Sequence, residues 1–107
     1  MNDATRNHFE VRARVLKAMA HATRMFIVQE LAEGEKCVAE LREKIGADMS
    51  TVSKHLAVLH DAGILGREKR ANQVFYTLRC PCVLQFFGCI ESVLSDDRGE
   101  PIQLAVR

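Results

Sequence analysis

The sequence describes a mainly α-helical domain carrying one small β-hairpin, and three observations support this. Apolar residues recur at helical spacing through most of residues 4–94. A single stretch, Val74-Phe75-Tyr76-Thr77-Leu78, is rich in β-branched and aromatic residues instead. The 107 residues, 48% of them apolar, suffice for one modest core, so residues 1–107 are expected to form a single domain.

Residues 4–20 give the first helix, in which Phe9, Val11, Val15, Leu16 and Met19 form the apolar stripe and Arg6, Arg12, Arg14 and Lys17 lie outside it. His21-Ala22-Thr23 interrupts it. Thr23 is expected to cap a second helix that turns Met25, Ile27, Val28 and Leu31 inward and ends at Gly34. Val38, Leu41 and Ile45 share one face of a short third helix, Val38–Ile45, closed by Gly46. The fourth helix starts at Asp48 or Ser50 and stops at Gly63. Val52, Leu56 and Leu59 fall at i, i+4 and i+7 on one side of it, opposite a polar first turn. Two short strands follow, Ile64-Leu65-Gly66 and Val74–Leu78, joined by a charged turn around Ala71-Asn72-Gln73. Pro81 suits a first helical position, and Cys82 to Leu94 gives the last helix. Its apolar positions form two adjacent stripes, Val83, Phe87, Ile90, Leu94 and Cys82, Phe86, Cys89, Val93, wider than one core contact requires. Residues 96–107 are a loosely specified tail.

Four helices, a hairpin and a final helix, in that order, make a winged helix-turn-helix. The fourth helix is then the recognition helix, held by its apolar face and offering its polar first turns to the DNA major groove. Its candidate contacts are Ser50, Thr51, Ser53, Lys54 and His55. On the hairpin, Arg67, Lys69 and Arg70 are placed to grip phosphates, with Asn72 and Gln73 at the tip. The formal charge is only +1, so DNA attraction must come from this placement. One recognition helix covers too little DNA for useful specificity, which implies a two-fold homodimer joined through the first and last helices. A winged helix that binds protein rather than DNA is the rival reading, since fold alone does not set function.

Four segments carry a family likeness in the same order: LKAMAHATRMFIV at 16–28, KCVAEL at 36–41, STVSKHLAVLHDAGIL at 50–65 and VFYTL at 74–78. Across residues 10–95 the chain resembles the ArsR/SmtB family of metal-responsive repressors. The resemblance implies a homodimer that binds double-stranded operator DNA and leaves it when an inducer binds. One arsenic-type site of that family carries two cysteines in a pattern like CVCDL at the third helix. Here the stretch is Cys37-Val38-Ala39-Glu40-Leu41, so the second cysteine is replaced by Ala39. Cys37 is therefore expected to be a small buried residue more than a ligand.

The remaining thiols, Cys80, Cys82 and Cys89, lie in CPCVLQFFGC. Three thiolates suit trivalent arsenic or antimony, and less selectively cadmium, lead or zinc. No His follows His60, so the His-and-Asp zinc site that some family members carry on the last helix is not expected here. In an unbroken helix Cys82 and Cys89 share a face but stand about 10.5 Å apart along the axis. Two helices crossing antiparallel near Phe86 would bring Cys82 of one subunit to Cys89 of the other, and unwinding at Gly88 would allow a site within one chain. The same thiols also suit an oxidant- or persulfide-sensing repressor that forms a disulfide or a sulfur-bridged link.

Catalysis is not expected. His8, His21, His55 and His60 fall on or beside helices away from the cysteine cluster, with neither a phosphate-binding glycine loop nor HExxH spacing. No apolar run approaches the roughly 18 residues of a membrane helix. The N-terminal MNDATRNHFE lacks the apolar region of a signal peptide, so a cytoplasmic location is expected, with no membrane partner and no organic cofactor.

Overall fold

A computed structural model describes residues 1–95, and the expected tail at 96–107 lies outside them. Helix starts are set by side chains that accept otherwise unpaired amides. In α1 (Asp3–Met19), Asn2 Oδ1 accepts the Thr5 N–H at 2.8 Å. In α2 (Ala22–Leu31), His21 Nδ1 accepts the Thr23 N–H at 3.1 Å. This corrects the cap expected at Thr23, which lies already inside the helix, because the neutral imidazole of the extended residue before it supplies the acceptor.

A two-residue strand that no periodicity announced, β1 (Lys36–Cys37), precedes α3 (Val38–Ile45). Cys37 closes the strand and begins the helix, and its N–H donates to Glu40 Oε1 at 3.1 Å. That bond, followed by the Cys37 side chain, holds the Glu40 carboxyl below its ordinary value. Gly46 ends α3 in the left-handed region (φ 79°), which a β-carbon would disfavour. After Gly46-Ala47-Asp48, α4 (Met49–Asp61) begins with Asp48 Oδ1 accepting the Thr51 N–H at 2.8 Å. Gly63 (φ 86°) stops it in a Schellman turn, with Ile64 N–H bonded to the Leu59 carbonyl at 3.0 Å and Gly63 N–H to that of His60 at 2.9 Å.

Strands β2 (Leu65–Arg70) and β3 (Gln73–Leu78) form the hairpin, and β1 pairs with the other edge of β3 to give an antiparallel sheet in the order β1-β3-β2. The hairpin is longer than the sequence pattern implied. Arg70 pairs with Gln73, so the turn is only Ala71-Asn72, and Arg67 to Arg70 belong to a strand although they are exposed and charged. Tyr76, Phe75 and Val74, the partners of Arg67, Glu68 and Lys69, supply the β-forming half of those three cross-strand pairs. A 3₁₀ turn at Pro81–Val83 then leads into α5 (Leu84–Val93). The last helix accordingly begins two residues later than expected, with Cys82 in the turn and not in the α-helix.

The core gathers Ala18 and Met19 of α1, Ile27, Val28 and Leu31 of α2, Leu41 of α3, Val52, Leu56 and Leu59 of α4, and Ile64, Leu65, Tyr76 and Val83. The stripes of the last helix do not divide cleanly: Val83, Leu84 and Phe87 pack on this core, while Ile90 of the first stripe joins Phe86 and Val93 of the second in remaining exposed. Phe9, Val11, Val15 and Leu16 of α1 are exposed as well. No helix among the described residues is long and apolar enough to cross a membrane.

Leu56 is wholly buried at the centre of α4, so Leu56→Ala removes its packing and leaves a cavity. A loss of about 2–5 kcal/mol in unfolding free energy is expected from urea titration followed by circular dichroism.

Candidate nucleic-acid interface and thiol site

Burial of Val52, Leu56 and Leu59 turns the polar side of α4 outward. Ser50, Thr51, Ser53 and Lys54 are all exposed there, as the sequence predicted. Ser53 also adjoins the hairpin: with Asn72 and Gln73 it lines a cavity of about 250 Å³ whose floor includes Cys37, Val38 and Met49. Recognition-helix and wing-tip polar groups thus meet on one side of the molecule.

His55 is placed differently from its four neighbours. Half-buried, it turns toward α2, with its Nδ1 3.2 Å from Arg24 Nη1 and its ring 4.4 Å, centroid to centroid, from that of His21. A guanidinium carries only donors, so His55 Nδ1 must accept and the ring proton lies on Nε2. The same Arg24 reaches the end of α1, where Nε donates to the Ala18 carbonyl at 2.5 Å and Nη2 to that of Lys17 at 3.4 Å. Sequence reasoning missed this clasp. The signal was present as an arginine with no acid at helical spacing inside the apolar run ATRMFIV.

The hairpin cations divide by strand alternation. Arg67 and Lys69 lie on one face and, among the described residues, enter no ion pair. Arg70, on the other face, donates to Glu35 Oε1 and stacks over the Phe75 ring with 4.0 Å to the centroid. The Glu35 bond raises the Arg70 pKa further. Arg67 and Lys69 thus lack an ion-pair partner among the described residues, whereas Arg70 is engaged by Glu35 and Phe75. Glu35, 35 residues away in sequence, carried no signal of this contact.

All four cysteines are free thiols, and they occupy two places. Cys37 is buried beside the sheet. Cys80, Cys82 and Cys89 are exposed, respectively just before, on and after the 3₁₀ turn. Cys80 and Cys82 line a common cavity between α1, the α4–β2 turn and α5, and Cys89 does not. Among the described residues no cluster of three or more His, Cys, Asp or Glu is assembled to hold a metal ion. The three thiols expected as one ligand set are therefore not gathered within a single chain, because Cys89 follows Cys82 by two helical turns.

A model for bacterial regulatory proteins of the arsR family matches residues 21–66, from the α2 cap through the recognition helix to the start of the wing. The biofilm growth-associated repressor of Xylella fastidiosa is 38% identical over 87 residues, which cover 73% of this chain and 76% of that protein. The chain belongs to the ArsR/SmtB family. Among solved structures, NolR from Sinorhizobium fredii superposes with a TM-score of 0.78 at 25% identity, covering 87% of this chain and 93% of that one. The homodimeric winged helix-turn-helix DNA-binding domain of a possible ArsR-family regulator from Mycobacterium bovis gives 0.74 at 26% identity, covering 87% and 86%. The protein is thus a transcriptional repressor of the ArsR/SmtB type and not an enzyme. A winged helix-turn-helix with an unpartnered apolar face on α1 and α5 is the fold of a DNA-binding dimer.

Burial first, then the charges of His21 and Arg24, hold the His55 imidazole below its ordinary pKa. The folded chain therefore resists a proton that the unfolded chain accepts. The stability this gives is complete above the ordinary value of about 6.5 and is lost as pH falls from there toward the lowered folded value. Urea midpoints measured at about pH 7.5 and about pH 5.5 should differ more for the native chain than for His55→Gln. Equal differences would assign the pH dependence to other groups.

Proposed function

We propose that this ArsR/SmtB repressor acts as a homodimer joined through α1 and α5, binds double-stranded operator DNA through α4 and the wing, and is released by a thiophilic inducer. In this reading Ser50, Thr51, Ser53 and Lys54 meet base edges and adjacent phosphates, while Arg67, Lys69, Asn72 and Gln73 hold the flanking backbone. Arg70 joins them by leaving Glu35. His55 acts from behind the helix, through Arg24, more than by touching DNA itself.

The observation that carries the inducer reading is the position of Cys80, Cys82 and Cys89. All three are exposed: Cys80 and Cys82 line a cavity with Phe86, and Cys89 lies on α5 within a turn of Phe86 and Val93. Trivalent arsenic or antimony, or another thiophilic metal, engaging thiols at that seam changes how two subunits sit and hence the spacing of their recognition helices. Cys37, buried and committed to the start of α3, is left out of the ligand set.

Exposure of the same thiols also favours a second reading, in which an oxidant or persulfide links them covalently and a reductant restores DNA binding.

Fluorescence anisotropy with a duplex from upstream of the gene tests both halves. The reduced protein should bind with strong salt dependence, and Lys69→Ala should lower the slope of log affinity against log salt by about 1. Absence of binding to any duplex at low salt would overturn the repressor reading. Anaerobic arsenite or antimonite should release the DNA, and Cys82→Ser and Cys89→Ser should abolish that release. Release by polysulfide alone, reversed by dithiothreitol, would instead favour the redox reading.

A further inference from the structure

Met49 is the first residue of α4 and is 42% exposed, although the same helix buries Val52, Leu56 and Leu59 completely. It does not stand in open solvent alone. With Val38 and Val74 it gives an apolar wall to the cavity of about 250 Å³ between the recognition helix and the wing tip, and Ser53, Asn72 and Gln73 supply that cavity's hydroxyl and amide groups. Ser53 follows Met49 by one helical turn, so the two side chains are neighbours on α4. Asp48 caps the helix from the preceding position by accepting the Thr51 N–H at 2.8 Å, which commits Met49 to the turn from which a recognition helix meets base edges.

An apolar surface beside hydrogen-bond donors complements one base edge of the major groove better than the other three. Thymine presents a C5-methyl group next to its O4 acceptor, whereas cytosine offers a donor without a methyl group and the purines offer N7 beside O6 or the N6 amine. We propose that Met49 is a specificity-determining residue for operator DNA, its side chain packing against a thymine C5-methyl group at this cavity while the neighbouring hydroxyl and amide donors face the O4 of that base. The proposal rests on the reading that α4 enters the major groove, and it names a base preference within that reading. A thioether side chain suits the contact because it is unbranched and polarizable, and so adapts to the position of a single methyl group. Val58, the other large apolar residue that α4 leaves exposed, lies two turns farther along the helix and does not line the cavity.

The probe is the upstream duplex that the anisotropy titration identifies, remade with each dT replaced singly by dU, which removes the methyl group and nothing else. At least one such replacement should weaken binding by the native full chain about fourfold, the worth of one buried methyl-sized group. Met49→Gln, which keeps the length of the side chain, should bind the dT and dU forms of that duplex equally, and Met49→Ala should do the same. Met49→Leu should retain the native preference. Each result is a ratio of two affinities measured on one protein, so a change in the folded fraction cancels. Equal affinity of the native chain for every dU duplex would overturn the proposal, as would a preference for dT that persists undiminished in Met49→Gln and Met49→Ala. Uniform loss of affinity in those variants with the ratio unchanged would assign Met49 a structural role and overturn it too. Should the chain bind its operator yet ignore the methyl group, the operator reading stands and the Met49 contact falls; should it bind no duplex at all, both fall.

Discussion

Val52, Leu56 and Leu59 are withdrawn completely from solvent, and this fixes the rotation of α4 about its own axis. Each buried side chain of this size stabilises the fold by about 1.5–3 kcal/mol, so a rotation exposing all three is prohibitive against a total stability of about 5–15 kcal/mol. Ser50, Thr51, Ser53 and Lys54 face outward because burial of the Val52, Leu56 and Leu59 face leaves them on the solvent side. The turn Gly46-Ala47-Asp48 sets where that helix begins, and the Schellman turn at Gly63 sets where it ends and where the chain enters β2. The wing is thereby held at a constant offset from the recognition helix, and Ser53 comes to share a cavity with Asn72 and Gln73.

A second constraint ties α4 to α1 and α2. Arg24 bonds two carbonyls at the end of α1 and one imidazole on α4, so a displacement of α1 is felt at His55 through one side chain. The arrangement works only with His55 neutral, since a protonated ring has no lone pair for a guanidinium donor. Burial and the neighbouring His21 favour that neutral form. An exposed ion pair such as Arg70–Glu35 is of another kind: screened by solvent, it contributes little to the fold.

Much of this was legible in the sequence because it is local. Asp48, Gly46 and Gly63 act within their own turns, and the spacing of Val52, Leu56 and Leu59 announces the buried face of α4 without reference to the rest of the chain. The family likeness placed the same residues in order. What escaped was made by contacts distant in sequence or by segments too short to show a period. Strand β1 has only Lys36 and Cys37, and it exists because Tyr76 and Phe75 offer their backbone edge. Arg67 to Arg70 have no β-forming character of their own and are held extended by their partners on β3. The His21–Arg24–His55 clasp spans three helices. For the cysteines, composition disclosed three nearby thiols, but the 3₁₀ turn at Pro81 decided that two of them share a chamber and the third does not.

The cavity that Cys80 and Cys82 share adjoins the tie between α1 and α4. Ala62, Gly63 and Ile64 line it, so it abuts the last turn of α4, and Met19 links it to the end of α1 that Arg24 holds. Arg79 reinforces the same corner by donating to the Gly63 carbonyl at 3.3 Å. The chamber thus adjoins both ends of the connection that Arg24 makes between α1 and α4, and Met19, Ile64 and Val83 of the core form part of its wall. Coupling free energies of about 1–3 kcal/mol suffice for a 5- to 150-fold change in operator affinity. That range is comparable to the loss of one or two hydrogen bonds to a charged group, which is the strength of the Arg24 contacts with Ala18 and His55. Loosening this clasp would change the tie between α1 and α4 by an energy of that order, with the hydrophobic core of α2, α3 and α4 left intact.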